Sequence, residues 1–166
     1  FLIVSYGYLT RAKLYPKTRP GLRTHSGFQR CRRVAGGNCM MCMFAQNTSI
    51  HTSAYTGEQY NIQSSITCTD HYIIYSIQCK KCPRVEYVGK TIQEAAERFS
   101  AHRSDVNTKK IQKPVAEHFN LPGHSVSDMK FLPFEKISQE DETLLTVRER
   151  FWIQQKKTFV FGLNKC

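Results

Sequence analysis

His71-Tyr-Ile-Ile-Tyr-Ser-Ile-Gln78, Cys79-Lys-Lys-Cys-Pro83 and Arg84-Val-Glu-Tyr-Val-Gly89 follow one another without interruption. The first run is β-branched and aromatic, as a buried strand is. The second is a tight connection, and the third reads as the return strand of a hairpin. Thr91-Ile-Gln-Glu94 then has the form of a capping box, predicting a helix that carries Arg98, Phe99 and His102 to about Ser104. Lys113-Pro114 opens a second short helix over Val115–Phe119, with Pro at the tolerated first position. Met129–Ile137 alternates as a third strand, Gln139–Lys157 has helical spacing of Leu144, Leu145, Arg148, Phe151 and Trp152, and Phe159–Leu163 closes as a strand or extended tail. The order β-β-α-α-β-α predicts a small α/β (α+β) domain, with a three-stranded antiparallel sheet flanked by helices.

Ahead of residue 71 the chain changes character. Residues 31–70 are rich in Ser, Thr, Asn and Gly, carry several cysteines and lack helical periodicity; they predict short strands and loops held by a metal. Residues 1–30 read as a basic linker or arm. The division expected is therefore 1–30, 31–70 and 71–166. The first residue is Phe1 rather than Met, which suggests a piece of something longer, and Phe1–Leu9 is about half as long as a membrane span requires. No membrane segment is expected.

With 24 Lys and Arg against 13 Asp and Glu, the chain of 166 residues has a formal charge of +11, which favours polyanionic partners. Residues 11–33 contain Arg23, Arg30, Arg32 and Arg33 among other bases and no acid. A solvated tail is the plain explanation of a basic run; at this density, contact with nucleic-acid phosphates is the better one. Together with Arg103 these arginines are the candidate DNA contacts.

Of the seven cysteines, two pairs have C-x-x-C spacing, which without a secretory signal points to metal rather than disulfides. Cys79-x2-Cys82 with His118-x5-His124 supplies a complete tetrahedral zinc set that would tie the hairpin turn to the second helix. Cys31-x7-Cys39-x2-Cys42 with Cys68 would make a second, all-thiolate site, with His25, His51 or His71 able to replace one member. Two successive sets argue against a cross-braced interaction scaffold. Cys166 has no assigned role.

The ordered set Tyr75, Tyr87-Val-Gly89, Arg98, His102, Glu149 and Asn164 resembles the GIY-YIG nuclease family over roughly residues 71–165. Ile73-Ile-Tyr75 and Tyr87-Val-Gly89 stand at the two signatures, with Ile73 in place of the first Gly and Val88 in place of the second Ile. A narrower resemblance, to the Penelope-like retroelement branch, rests on the C-x-x-C between the signature strands, Ala101-His-Arg-Ser-Asp105, Ala116-Glu-His-Phe119 with Gly123-His124, Phe151-Trp-Ile153 and Gly162-Leu-Asn164; Val160 stands where that branch commonly has Pro.

The resemblance implies a metal-dependent DNA nickase whose 3′-OH primes target-primed reverse transcription by a reverse transcriptase domain upstream in the same polyprotein. DNA is the implied partner, the element's RNA a second candidate, and the nucleus the implied location. Glu149 would be the one carboxylate ligand of Mg²⁺ or Mn²⁺, which is sufficient for an ion that keeps several waters. Tyr75 or Tyr87 would take the proton from the attacking water, with Arg98, Lys90 and the metal as the cations that favour phenolate. Arg98 would also fork onto phosphate, His102 would assist proton transfer or position the water, and Asn164 would order the site. The alternative is a zinc-stabilised nucleic-acid-binding module that does not cut, although such a module has no reason to keep the catalytic set.

Overall fold

The computed structural model describes residues 26–31, 39–137 and 140–165. Arg23, Arg32, Arg33, His25 and Cys166 lie outside them, as does most of the expected basic arm. The chain runs through β1 (Gly27–Phe28), α1 (Met40–Phe44), β2 (Ile50–Thr52), β3 (Gln59–Asn61) and β4 (Ser65–Ile66). It continues with β5 (Ile73–Cys79), β6 (Glu86–Thr91), α2 (Ala95–Asn107), α3 (Pro114–Phe119), a 3₁₀ turn, β7 (Met129–Lys136), α4 (Glu142–Gln155) and α5 (Thr158–Phe161).

β5 is the centre of a three-stranded sheet ordered β6-β5-β7, antiparallel on both sides. It is covered on both faces, which is why it reads as an almost unbroken apolar run: Ile73, Ile74, Tyr75 and Ile77 have no exposed surface. α2 covers one face, where Phe99 meets Phe131 edge-on with the centroids 5.4 Å apart. α4 covers the other, where Trp152 meets Phe134 at 5.0 Å. β7 tolerates Pro133 because it is an edge strand and its register shifts beside Tyr75, where the ladder is already irregular. The mixed α/β class and the three-stranded antiparallel sheet are as expected.

The Cys-bearing segment consists of two small ladders, β1 parallel to β4 and β2 antiparallel to β3, with α1 between them. Its apolar side chains do not form a core of their own. Phe28, Met41, Ile62 and Ile66 join the cluster that surrounds β5, Phe44 meets Phe99 at 5.0 Å, and Tyr60 meets Trp152 at 5.0 Å. Gly27–Phe28, expected within the arm, is instead a strand of this segment, and Phe28 is buried because it pairs with Ile66 and is shielded by the same core.

Three further expectations are corrected. The capping box at Thr91 does not form: β6 continues through Thr91, whose hydroxyl accepts from Gln93 N at 3.0 Å, and α2 starts at Ala95. Its first amides are taken by carbonyls of the Cys-bearing segment, Ala95 N donating to Asp70 O at 3.0 Å and Ala96 N to Cys68 O at 2.9 Å. Tertiary acceptors thus replace the local cap. α4 starts at Glu142 because the Asp141 carboxylate caps it, accepting from Thr143 N at 2.8 Å and Leu144 N at 3.0 Å. The closing strand is absent. Thr158–Phe161 makes one helical turn, and beyond it only Leu163 N reaches β6 by its backbone, so no ladder forms.

Candidate active site and metal centres

Tyr75 and Tyr87 lie on the same face of adjacent strands because Tyr75 pairs with Gly89 and Ile77 with Tyr87, and side chains alternate along a strand. Their ring centroids are 6.4 Å apart. The Tyr75 ring lies over Gly89, where a Cβ would stand 2.5 Å from the phenol oxygen, so no larger residue fits opposite it. One helical turn on α2 brings Arg98 and His102 to the same phenol. Arg98 Nε donates to Tyr75 Oη at 2.9 Å, and Tyr75 Oη lies 2.7 Å from His102 Nε2.

The electrostatics set the charge state of the imidazole in that second bond. Burial, and then the Arg98 charge, push the His102 pKa down to about 3, so its imidazole is neutral. Arg98 donates to the phenol oxygen, and the neutral imidazole shares the second bond with it in the sense its tautomer sets. Tyr75 is fully buried, and burial pushes its pKa up. Tyr87 is shifted the same way by burial, with Arg98 pulling against it, but it is partly exposed. Tyr87 lines a pocket of about 200 Å³ together with Arg98, His102, Asp105, Lys113 and the first turn of α3. Of the two phenols, Tyr87 is the one that solvent reaches.

A neutral buried His102 fixes the sign of a pH effect. Its folded pKa lies below that of an unfolded histidine, so the unfolded chain binds the extra proton as pH falls through about 6.5 and further towards 3. Stability is therefore lost on acidification across that window. Chemical denaturation at pH 7 and pH 5 is expected to show a smaller loss in His102→Gln than in the wild type; equal losses would contradict a neutral buried imidazole.

Glu149 stands on α4, partly exposed, with its pKa raised by burial against the opposing pull of Lys90 and Arg98. Lys90 does not join the tyrosines. Strand alternation turns it to the α4 side of the sheet, where Nζ donates to Thr146 Oγ1 at 2.6 Å, and its charge acts on Glu149. Asn164 forms a paired contact with the free edge of β6: Val88 N donates to its Oδ1 at 2.9 Å, and its Nδ2 donates to Val88 O at 2.7 Å. Arg103 is partly exposed on α2 and Arg30 is exposed. Asp105 and Lys113, paired at 2.7 Å in the pocket wall, were missed in the sequence, where Lys113 served only to mark the start of a helix.

Two groups of metal-ligating side chains form among the described residues. Cys31, Cys39, Cys42 and Cys68 have all their sulfurs within 4.8 Å of one another, and so do the ligating atoms of Cys79, Cys82, His118 and His124. Neither His51 nor His71 completes the thiolate group. His51 Nε2 lies 3.1 Å from Glu86, and His71 Nδ1 lies 3.3 Å from Ile92 O.

Both groups fit a tetrahedral soft cation. In the mixed set, His118 Nε2 is buried without a hydrogen-bond partner, an arrangement that costs free energy unless a metal takes the lone pair. In the thiolate set, burial pushes the Cys42 thiol up to about 11 and Cys68 higher still; a cation among them reverses that preference. Glu149 belongs to neither group. A divalent ion there would have one protein carboxylate, with water and phosphate completing its shell, as Mg²⁺ accepts.

No helix among the described residues is long and apolar enough to cross a membrane. No curated protein matches the sequence. Among solved structures, the catalytic domain of homing endonuclease I-TevI is similar at 23% identity and a TM-score of 0.47, over 56% of this chain and 96% of that one. A sequence model described as the GIY-YIG catalytic domain matches residues 71–164. That span is more than half of the chain and contains Tyr75, Tyr87, Arg98, His102, Glu149 and Asn164; the chain belongs to the GIY-YIG family, and residues 71–164 are its metal-dependent DNA endonuclease domain.

Proposed function

We propose that this endonuclease nicks one strand of DNA, leaving a 3′-OH that a reverse transcriptase extends, and that it is the cutting domain of a Penelope-like retroelement acting in the nucleus. The observation that carries the chemistry is the convergence of Arg98 and His102 on the Tyr75 phenol, through bonds at 2.9 and 2.7 Å, beside a pocket that Tyr87, Arg98 and His102 line. The retroelement assignment is supported by the C-x-x-C between the signature strands and the Cys-rich segment ahead of them. DNA is held by the basic excess, with the arginines at 23, 30, 32, 33 and 103 as phosphate contacts that orient the duplex without reading its sequence.

Arg98 has its Nε on Tyr75 and presents the rest of its guanidinium to the scissile phosphate. Tyr87 takes a proton from the attacking water as it passes its own to Tyr75, which in turn donates to the neutral His102 Nε2. Burial is the main cause that keeps His102 deprotonated, and an arriving phosphodiester beside Arg98 offsets the smaller contribution of that guanidinium. Mg²⁺ or Mn²⁺ on Glu149 would neutralise charge on the phosphate and polarise it towards attack. Asn164 keeps β6, and so Tyr87, in place. Zn²⁺ in the two Cys-containing groups is structural, since all four ligands of each are protein side chains.

The end left at the nick tests this reading. A DNA polymerase lacking exonuclease activity is expected to extend directly from the nicked plasmid, and DNA ligase to reseal it. A product that needs phosphatase treatment before it can be extended has been cut on the other side of the phosphorus, and the priming role would be lost with it.

A further inference from the structure

Glu86 opens β6 one residue ahead of Tyr87, and although a strand-edge glutamate normally faces water, this one is 1% exposed. Its carboxylate collects donors from separate parts of the chain. Ser76 Oγ on β5 donates at 2.7 Å, Lys156 Nζ at the end of α4 at 2.8 Å, and from the Cys-bearing segment Ala54 N donates at 2.8 Å and His51 Nε2 lies at 3.1 Å. Lys156 has no exposed surface, and it and the His51 ring both pack on Phe134, at 4.5 and 4.4 Å.

A buried ion pair is a poor source of stability compared with apolar packing; its best-attested use is to fix a register. Register matters here. β6 is an edge strand with β5 as its one partner in the sheet, and a slip of one residue would turn Tyr87 away from Tyr75, Arg98 and His102. The same slip would strand the Glu86 carboxylate on the α2 face and leave Lys156 without its counter-charge. The outer edge of β6 is held at the same place. Leu163 N donates to Glu86 O at 2.9 Å, Gly162 leaves no room for a side chain against that carbonyl, and Asn164 brackets Val88. The residues on both sides of Tyr87 are thus pinned while its ring faces the pocket.

We infer that the Cys-bearing segment holds the catalytic edge strand in register through Glu86, so that His51, Glu86 and Lys156 are positioning residues of the nuclease. This rests on Tyr87 acting in the reaction. The segment is then part of the catalytic apparatus as well as a platform for nucleic acid, and its loss slows turnover even when DNA is bound.

The test uses the full chain. His51→Phe keeps a ring on Phe134 but removes the link to Glu86; His51→Gln restores a donor. His51→Phe is expected to lower kcat for plasmid nicking about tenfold or more, with KM for DNA changed less than about twofold and zinc content unchanged. Amide hydrogen exchange is expected to accelerate across residues 86–91 alone, and His51→Gln to recover both readouts. Wild-type kcat and exchange in His51→Phe would overturn the inference. So would a fall in kcat accompanied by faster exchange over the whole chain, which marks a general loss of stability. If the wild-type chain does not nick, the exchange arm still decides: acceleration confined to 86–91 supports the register role while the nuclease reading fails.

Discussion

Glu149→Ala is expected to lower the metal-dependent nicking rate by about 10³-fold while the protein stays folded and keeps binding DNA. Hydrolysis of a phosphodiester concentrates negative charge on the phosphoryl oxygens as the water attacks. Arg98 answers part of that charge, and a divalent ion must answer the rest. Among the described residues, Glu149 lies outside both groups of close ligating side chains. The fold depends on it little. It is a partly exposed residue of α4, and burial already raises its pKa, so its carboxylate is not a source of stability. Removing a negative charge from a chain of formal charge +11 does not weaken attraction to DNA. Single-turnover nicking in Mg²⁺, paired with a salt-dependent binding isotherm, checks both halves. A mutant that cuts at the wild-type rate would remove Glu149 from the metal assignment.

His118→Ala is expected to lose one of two zinc ions per chain and to destabilise the protein by more than about 5 kcal/mol, enough to unfold a domain of ordinary stability. Free energy of zinc binding is folding free energy when the site exists only in the folded chain. The four side chains come from the end of β5 and the turn after it, from α3 and from the turn that follows, so an ion held by them would close the long stretch between Cys82 and His118. Hydrogen bonds also join the turn to the segment after α3, Lys80 N donating to Asp128 O at 2.8 Å and Lys81 Nζ to Gly123 O. Lys80 Nζ bonds Ser127 O at 2.7 Å and the exposed Lys81 pairs with the buried Asp128 at 3.2 Å. Metal content by elemental analysis and a thermal melt are sufficient. Two zinc ions and an unchanged melt in the mutant would show that His118 is not a ligand.

The parts of this molecule that were legible in the sequence are those whose cause is local. Ile73 to Cys79 is apolar because the central strand is covered on both faces, and it could be recognised from composition. Arg98 and His102 could be placed on one helical face from their spacing, and the eight Cys and His side chains that gather in two groups from theirs. What failed had tertiary causes. Thr91 has the residues of a capping box, yet Asp70 and Cys68 take the helix amides first. Lys156 is a lysine at a helix end, which reads as solvated, and only the fold shows it enclosed by Phe134 and Glu86. Glu86 was passed over for the same reason: a glutamate beside a strand tyrosine has no sequence signal that distinguishes burial from exposure. Lys90 is one of the cations expected beside the tyrosines, but strand alternation sends its side chain to the other face.

The most direct test of the account is relaxation of supercoiled plasmid by the zinc-loaded wild-type chain, with Mg²⁺ or Mn²⁺ and with EDTA, alongside Glu149→Ala. The account predicts open-circular product that requires the divalent ion and disappears in the mutant. Intact supercoiled plasmid after incubation with a folded, zinc-loaded and DNA-bound wild type would contradict it, as would nicking that persists in Glu149→Ala.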